Sequence, residues 1–122
     1  MNKLQSVRGT KDIFPAEMQI YNSIINKAKF ISELYGFEEA AFPIIEKAEV
    51  FTRPLGESSD VVSKETYTFA DRGGDSITLR PEGTAGIMRS VLSQGKLNEL
   101  PIKLFYSGPM FRYERPQKGR LR

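Results

Sequence analysis

Among its 122 residues the chain has no cysteine and no histidine. The first absence excludes disulfides and thiolate chemistry. The second removes the usual general base near neutral pH and the commonest metal ligand. A Ser-His-Asp triad, a zinc site of the usual kind and a catalytic thiol are therefore beyond this chain's own side chains. No stretch approaches 18 consecutive apolar residues, so no membrane span is expected. The opening run Met1 to Gly9 lacks the apolar core of a signal peptide. A cytoplasmic location without a membrane partner is the expectation that follows. Repeats, low-complexity stretches and glycine-rich phosphate loops of the Walker or Rossmann type are also missing. What is left for chemistry is carboxylates, arginines, lysines and backbone amides. Such groups suit the positioning and electrostatic stabilisation of phosphoryl chemistry.

What is present is an ordinary globular composition with one uneven feature. A 39% apolar and 27% charged chain of this length fits one domain with a real core. The net charge is +3, but it is not spread evenly. Five of the 18 basic residues lie between Arg112 and Arg122 against one acid, Glu114, so that segment carries +4 and the rest of the chain −1. A local basic run of this kind points to phosphates.

Periodicity gives the coarse architecture. Met1 to Asp12 reads as an extended arm. Pro15 suits the first turn of a helix, and Ile20, Ile24, Ala28, Ile31 and Leu34 recur at steps of three and four. Tyr21, Ile25 and Tyr35 widen that stripe into a core-facing amphipathic helix, with Gly36 as its C-terminal cap. Phe37 to Pro43 reads as a strand ending at a proline, Glu46 to Phe51 as one or two helical turns, and Leu55 to Lys64 as a polar loop. Tyr67 and Phe69, then Arg72-Gly73-Gly74-Asp75, then Ile77 and Leu79 form a β-hairpin pattern. A second helix follows Pro81-Glu82-Gly83-Thr84, with Ile87, Met88, Val91 and Leu92 on its apolar side and Gly95 at its end. Ile102, Leu104 and Tyr106 alternate as a further strand, which Gly108-Pro109 interrupts before Phe111 to Glu114 resumes it. The order predicts an α+β fold with a mainly antiparallel sheet and flanking helices.

Three segments can carry function, and each has a plain structural reading beside it. Arg112 and Glu114 are two residues apart, so on a strand they share a face. Arginine clamps phosphate oxygens with a planar fork of donors, and a carboxylate can accept from an exocyclic amine. Phe111 and Tyr113 then turn into packing. Arg115, Lys118, Arg120 and Arg122 follow on a Pro/Gly-bearing loop that suits a nucleic-acid backbone. The plain reading is a solvated, charged edge strand. In Arg80-Pro81-Glu82-Gly83-Thr84, Thr84 can cap the second helix, Gly83 allows close backbone approach, and Glu82 can hold a ligand ammonium group. The plain reading there is a strand-to-helix turn with Glu82 near the positive helix end. The first helix and the strand to Pro43 bury against the chain's own sheet on the plain reading, and form part of a subunit interface on the other.

Together and in this order, the segments resemble the class II aminoacyl-tRNA synthetases, in particular the histidyl-tRNA synthetases. Arg8-Gly9-Thr10-Lys11-Asp12-Ile13-Phe14-Pro15 is similar to that family's N-terminal arm. The first helix and the strand to Pro43 resemble the first class II motif, which builds the dimer interface. Thr78-Leu79-Arg80-Pro81-Glu82-Gly83-Thr84-Ala85-Gly86 resembles the histidine-binding turn. Tyr106-Ser107-Gly108-Pro109-Met110-Phe111-Arg112-Tyr113-Glu114-Arg115-Pro116-Gln117-Lys118-Gly119-Arg120 resembles the second class II motif. The resemblance implies that Glu82 and Thr84 bind the α-amino group of histidine, with Gly83 giving backbone access. It implies that Arg112 is catalytic, bridging the ATP α-phosphate and the histidine carboxylate. Glu114 would accept from the adenine amine, and Arg120 would meet the distal phosphates or shape the loop. Arg115, Gln117 and Lys118 would face the acceptor end of tRNA(His). ATP with Mg2+ is the implied energy source, no organic cofactor is implied, and no residue of this chain is assigned to a metal.

The family's third motif, the return strand of its second motif, its imidazole-reading peptide and its anticodon-binding domain have no counterpart here. Residues 1–122 are thus expected to be an N-terminal portion of the catalytic domain, inactive alone and binding ATP and histidine weakly. A homodimer is expected for the complete protein. One alternative is the histidine-sensing regulatory subunit of ATP phosphoribosyltransferase, which resembles these synthetases. It tends to carry Pro-Asp-x-Thr where this chain has Pro81-Glu82-Gly83-Thr84, and it lacks the basic Arg-Pro-Gln-Lys-Gly-Arg loop. Another is an interaction module that docks on an intact partner through the first helix and strand.

Overall fold

A computed structural model describes residues 2–55 and 65–113. The basic loop beyond Tyr113, with Glu114, Arg115, Gln117, Lys118, Arg120 and Arg122, lies outside the described residues, as does most of the polar stretch expected from Leu55 to Lys64. The chain divides into two compact units.

The described part of the first unit comprises residues 2–41 and 101–107. In the arm, Thr10 closes a turn by donating both its N–H (2.9 Å) and its hydroxyl (2.6 Å) to the Val7 carbonyl. Helix α1, Pro15–Leu34, begins on the proline as expected, with Glu17 in its first turn. Lys11 of the arm reaches Glu17 at 3.1 Å. The helix ends in a Schellman arrangement: Gly36 N–H bonds to Glu33 O at 3.0 Å and Phe37 N–H to Ser32 O at 3.0 Å. Gly36 sits at φ +83°, which a side chain would strain.

The apolar stripe of α1 does not face the core. No residue of the helix is buried, and Ile20, Ile24, Ile31 and Leu34 are 62%, 64%, 46% and 69% exposed. The half-covered positions are Ile25, Lys29 and Ser32, roughly a third of a turn away at 3.6 residues per turn. The covered side is anchored by polar contacts instead, with Lys29 Nζ 2.5 Å from a Glu39 carboxylate oxygen. The strand expected over Phe37 to Pro43 shrinks to β1, Glu38–Glu39, and the one expected over Ile102 to Tyr106 becomes β5, Leu104–Phe105. These two pair in parallel, Glu38 opposite Leu104 and Glu39 opposite Phe105. Lys103 fixes the junction. Its ammonium donates to Tyr35 O at 2.9 Å and stands 5.7 Å from the Phe37 ring centroid, a cation–π distance.

In the second unit, residues 42–55, 65–100 and 108–113 are described. Here Ile45–Lys47 is strand β2, where helical turns were expected, and helix α2 starts later, at Glu49–Leu55. Pairing with β4 decides this, because three residues of β2 match Leu79, Thr78 and Ile77 in antiparallel register. The expected hairpin is present as β3, Tyr67–Ala70, and β4, Ser76–Leu79. Its turn closes through Asp71, which bonds to the Gly74 and Asp75 amides through its carbonyl (3.0 Å) and carboxylate (2.9 Å). The sheet order is β2-β4-β3. Helix α3, Thr84–Ser93, follows, then a 3-10 turn at Lys96–Glu99.

This sheet is covered on its polar side. Glu46 and Thr78 are cross-strand partners on one face, and both are buried. The apolar face, with Ile45 and Phe69, stays about half exposed. Helix α3 lies over the polar face. There Arg89 grips Glu46 through two hydrogen bonds, Nε to Oε2 at 3.1 Å and Nη2 to Oε1 at 2.7 Å. Thr78 Oγ1 lies 2.9 Å from Thr68 Oγ1 across the hairpin. Among the described residues the one large apolar side chain that is fully buried is Phe51 of α2.

Candidate active site

The site candidates of the described residues meet where β4 ends. Strand β4 stops at Leu79, and Arg80-Pro81-Glu82-Gly83 turns the chain into α3. The helix opens with its first amides facing the turn, where intrahelical acceptors are lacking. The Glu82 carboxylate fills that need: Oε2 accepts from Thr84 N–H at 2.6 Å and Oε1 from Ala85 N–H at 3.1 Å. Thr84 was expected to cap this helix; it is instead the first helical residue, and the capping carboxylate is two positions earlier. A negative group at a helix N-terminus is favourable by charge as well as by hydrogen bonding. The cap does not use up the carboxylate, which has about four lone-pair sites.

Arg112 comes to the same turn from the other side of the sequence. Its Nε–H donates to Pro81 O at 3.2 Å. The backbone beside it is held too, with Phe111 N–H on Arg80 O at 2.9 Å and Tyr113 N–H on Glu65 O at 2.6 Å. The structure thus ties Arg112 to Pro81, the residue before Glu82. Tyr113 departs from expectation: it meets Tyr67 edge-on with centroids 5.4 Å apart, yet is 52% exposed and not packed away.

Glu82 and Thr84 also border an open groove of about 1100 Å3 between α2 and α3, lined further by Glu46, Val50, Met88 and Arg89. Arg112 does not line it.

Two features went unforeseen. Glu46 and Arg89, 43 residues apart, form the bidentate pair described above, with Glu46 buried and Arg89 about a third exposed. Arg80 is buried at 7% exposure, and its guanidinium donates to Pro109 O (3.0 Å) and Phe42 O (3.1 Å). A polar run sharing strand parity, Thr78 and Arg80, was the available signal. The apolar residues Ile77 and Leu79 that alternate with them outweighed it, because apolar alternation normally marks the buried face.

A family model described as histidyl-tRNA synthetase matches residues 9–122. The histidine–tRNA ligase of Gluconacetobacter diazotrophicus is 56% identical over the whole chain, which spans 29% of that relative. The histidine–tRNA ligase of Rhodospirillum rubrum is 55% identical, again over 100% of this chain and 29% of the relative. The apo crystal structure of S. aureus histidyl-tRNA synthetase superposes with a TM-score of 0.76 at 39% identity, covering 91% of this chain and 30% of that one. The 122 residues therefore belong to the histidyl-tRNA synthetase family.

Proposed function

We propose that the chain works as the N-terminal portion of the catalytic domain of a histidine–tRNA ligase. It would bind L-histidine and ATP, support formation of histidyl-adenylate, and present it to tRNA(His). The observation that carries this reading is the 3.2 Å bond from Arg112 Nε to Pro81 O, which ties a phosphate-type arginine to the Glu82 turn. The 55–56% identity to proteins named as ligases favours a ligase over the regulatory subunit of ATP phosphoribosyltransferase.

In this reading Glu82 keeps its helix cap and accepts the histidine ammonium on its remaining lone pairs, while Thr84 and the Gly83 backbone complete that subsite. Arg112 spans the histidine carboxylate and the ATP α-phosphate. Carboxylate attack on that phosphorus forms the acyl-phosphate bond and expels pyrophosphate. The negative charge that gathers on the α-phosphate oxygens is what a fixed guanidinium stabilises. The Pro81 bond fixes the plane of that guanidinium before substrate arrives. Glu114 would take the adenine amine, and Arg120 the distal phosphates or the loop. Arg115, Gln117 and Lys118 would meet the tRNA acceptor end, whose terminal ribose hydroxyl then takes the histidyl group. Magnesium would come with the ATP phosphates as part of that substrate. Such ions are held by one or two carboxylates plus phosphates, and among the described residues no cluster of three acidic side chains could hold one alone.

Two further parts of the reading concern assembly and place. The exposed stripe Ile20, Ile24, Ile31 and Leu34 supports a homodimer built through α1. A cytoplasmic location fits a tRNA ligase, and no described helix is long and apolar enough to cross a membrane.

The test is a chimeric ligase in which these 122 residues replace the matching 29% of the Gluconacetobacter diazotrophicus relative. Histidine-dependent ATP–pyrophosphate exchange should be present. Arg112→Ala should reduce it by a factor of roughly 10²–10³, about 3–4 kcal/mol of barrier. Near-normal exchange in that variant sinks the assignment.

A further inference from the structure

Arg80 has no assigned part in the chemistry, yet its side chain is buried and hydrogen-bonded at two points beside the candidate site. It is a charged residue at 7% exposure on a strand end, and burying a guanidinium is unfavourable unless its donors are met. Two of its five donors are met by backbone: Nε–H goes to Pro109 O at 3.0 Å and Nη1–H to Phe42 O at 3.1 Å. Its own carbonyl accepts Phe111 N–H at 2.9 Å. Arg80 therefore holds the incoming segment at two points, residue 109 through its side chain and residue 111 through its main chain. The next residue along, Arg112, bonds to the carbonyl of the next residue after Arg80, Pro81. Both arginines are registered to the same turn. Gly108 is part of the fit. A Cβ there would stand 2.5 Å from Arg80 Nη2, and that nitrogen has no easy retreat because its guanidinium is pinned on two other edges.

We propose that Arg80 is a positioning residue that sets the register and orientation of Arg112, an inference that rests on the reading of Arg112 as the phosphate clamp. Arg80 acts through the backbone of residues 108–111 and touches no substrate. Lysine cannot replace it, because a single ammonium does not reproduce two bonds directed from different edges of a plane.

Two perturbations test this in the chimeric ligase. Arg80→Lys removes the fork, and Gly108→Ala leaves Arg80 in place but displaces its guanidinium. Each should reduce kcat for ATP–pyrophosphate exchange by roughly a hundredfold, the order expected for a misplacement of about 1 Å. KM for histidine should rise no more than it does in Arg112→Ala, since only the carboxylate contact of Arg112 is affected while Glu82 and Thr84 are undisturbed. In an Arg112→Ala background either change should cost less than about twofold more, because the residue being positioned is gone. Equal, additive losses in both backgrounds would make Arg80 a stability anchor and overturn the proposal. Should the unsubstituted chimera lack exchange, the ligase reading fails, and amide hydrogen exchange on the 122-residue chain then decides about Arg80 independently. Either substitution should lower protection of the Phe111 amide at least about tenfold relative to the β3–β4 ladder; a uniform loss across both overturns positioning.

Discussion

Removing Arg89 should cost the second unit more than removing Glu46, and the asymmetry can be worked from the geometry. The pair is bidentate, at 3.1 and 2.7 Å. Its members are unequally buried, with the Glu46 side chain 7% and the Arg89 side chain 32% exposed. Arg89→Met leaves a carboxylate enclosed under α3 without a partner. Losses of this kind run to 3–5 kcal/mol for fully buried pairs, and the partial exposure of Arg89 brings the expectation to about 3 kcal/mol. Glu46→Gln leaves an arginine that can turn part of its guanidinium to water and keep one hydrogen bond, so the cost should be about 1–1.5 kcal/mol. The double variant buries a neutral amide near a thioether and should lose about 2–2.5 kcal/mol, which puts the coupling near 2 kcal/mol. Urea denaturation of all four forms, with unchanged m-values as the check on two-state behaviour, measures each term. A coupling below about 0.5 kcal/mol, or Glu46→Gln as costly as Arg89→Met, would falsify the view that this pair clamps α3 onto the sheet.

Other outcomes follow from the same structure. Glu82→Ala removes the carboxylate from the Thr84 and Ala85 amides and should destabilise the chain by about 1–2 kcal/mol in urea; no change would mean that the cap is not formed in solution. Gly86→Ala in the first turn of α3 should stabilise by about 0.5 kcal/mol, since the added methyl meets Glu46 Oε1 at an ordinary 3.5 Å. A destabilised Gly86→Ala chain would show the packing of α3 to be tighter than this. With no histidine present, the unfolding midpoint should be nearly flat from about pH 6 to about pH 9. Lys11, hydrogen-bonded to Glu17, and Lys29, hydrogen-bonded to Glu39, both titrate above the ordinary 10.5 when folded. Their contribution is therefore complete below pH 10.5 and declines only as pH rises through the folded values. A midpoint that changes steeply near neutrality would contradict that sign.

What could be read from sequence was what local chemistry decides. Pro15 and Gly36 mark both ends of α1, and the Tyr67–Leu79 hairpin shows in its alternation and its glycine turn. The parts that escaped depend on contacts distant in sequence. Ile45–Lys47 is a strand because β4 lies beside it, and its three residues carry too little pattern to say so alone. β1 and β5 find each other across more than sixty residues, as a parallel pairing of two residues each. Periodicity located the apolar stripe of α1 but could not tell which side the rest of the unit covers, since one pattern serves a core and an interface equally. For the candidate site, a family pattern singled out Arg112 and the Glu82 turn, and the structure ties the first to Pro81 beside the second. Arg80 and the Glu46–Arg89 pair were not singled out, because a charged residue on a strand reads as solvent-facing until its partners are in view.

The inverted sheet bears on how these site candidates, none of them histidine or cysteine, keep their positions. An apolar core holds elements together but is forgiving about angle and register, and it can be repacked with little loss. Hydrogen bonds to ionised groups are directional and short-ranged. In the second unit the bonds form a chain of constraints. Glu46 holds Arg89 and so α3; Glu82 holds the first amides of α3; Pro81 and Arg80, next in sequence, hold Arg112 and Phe111. Among the described residues every buried side-chain nitrogen or oxygen has a partner, and a fully satisfied polar network specifies one arrangement where a partly satisfied one would not. Arginine and carboxylate groups that act by field and geometry, without transferring protons, are effective only if they already stand where charge will develop. Phe51 alone could not set such positions to a fraction of an ångström. The buried polar face can, and its cost in desolvation is the reason to expect that it serves the site as well as the fold.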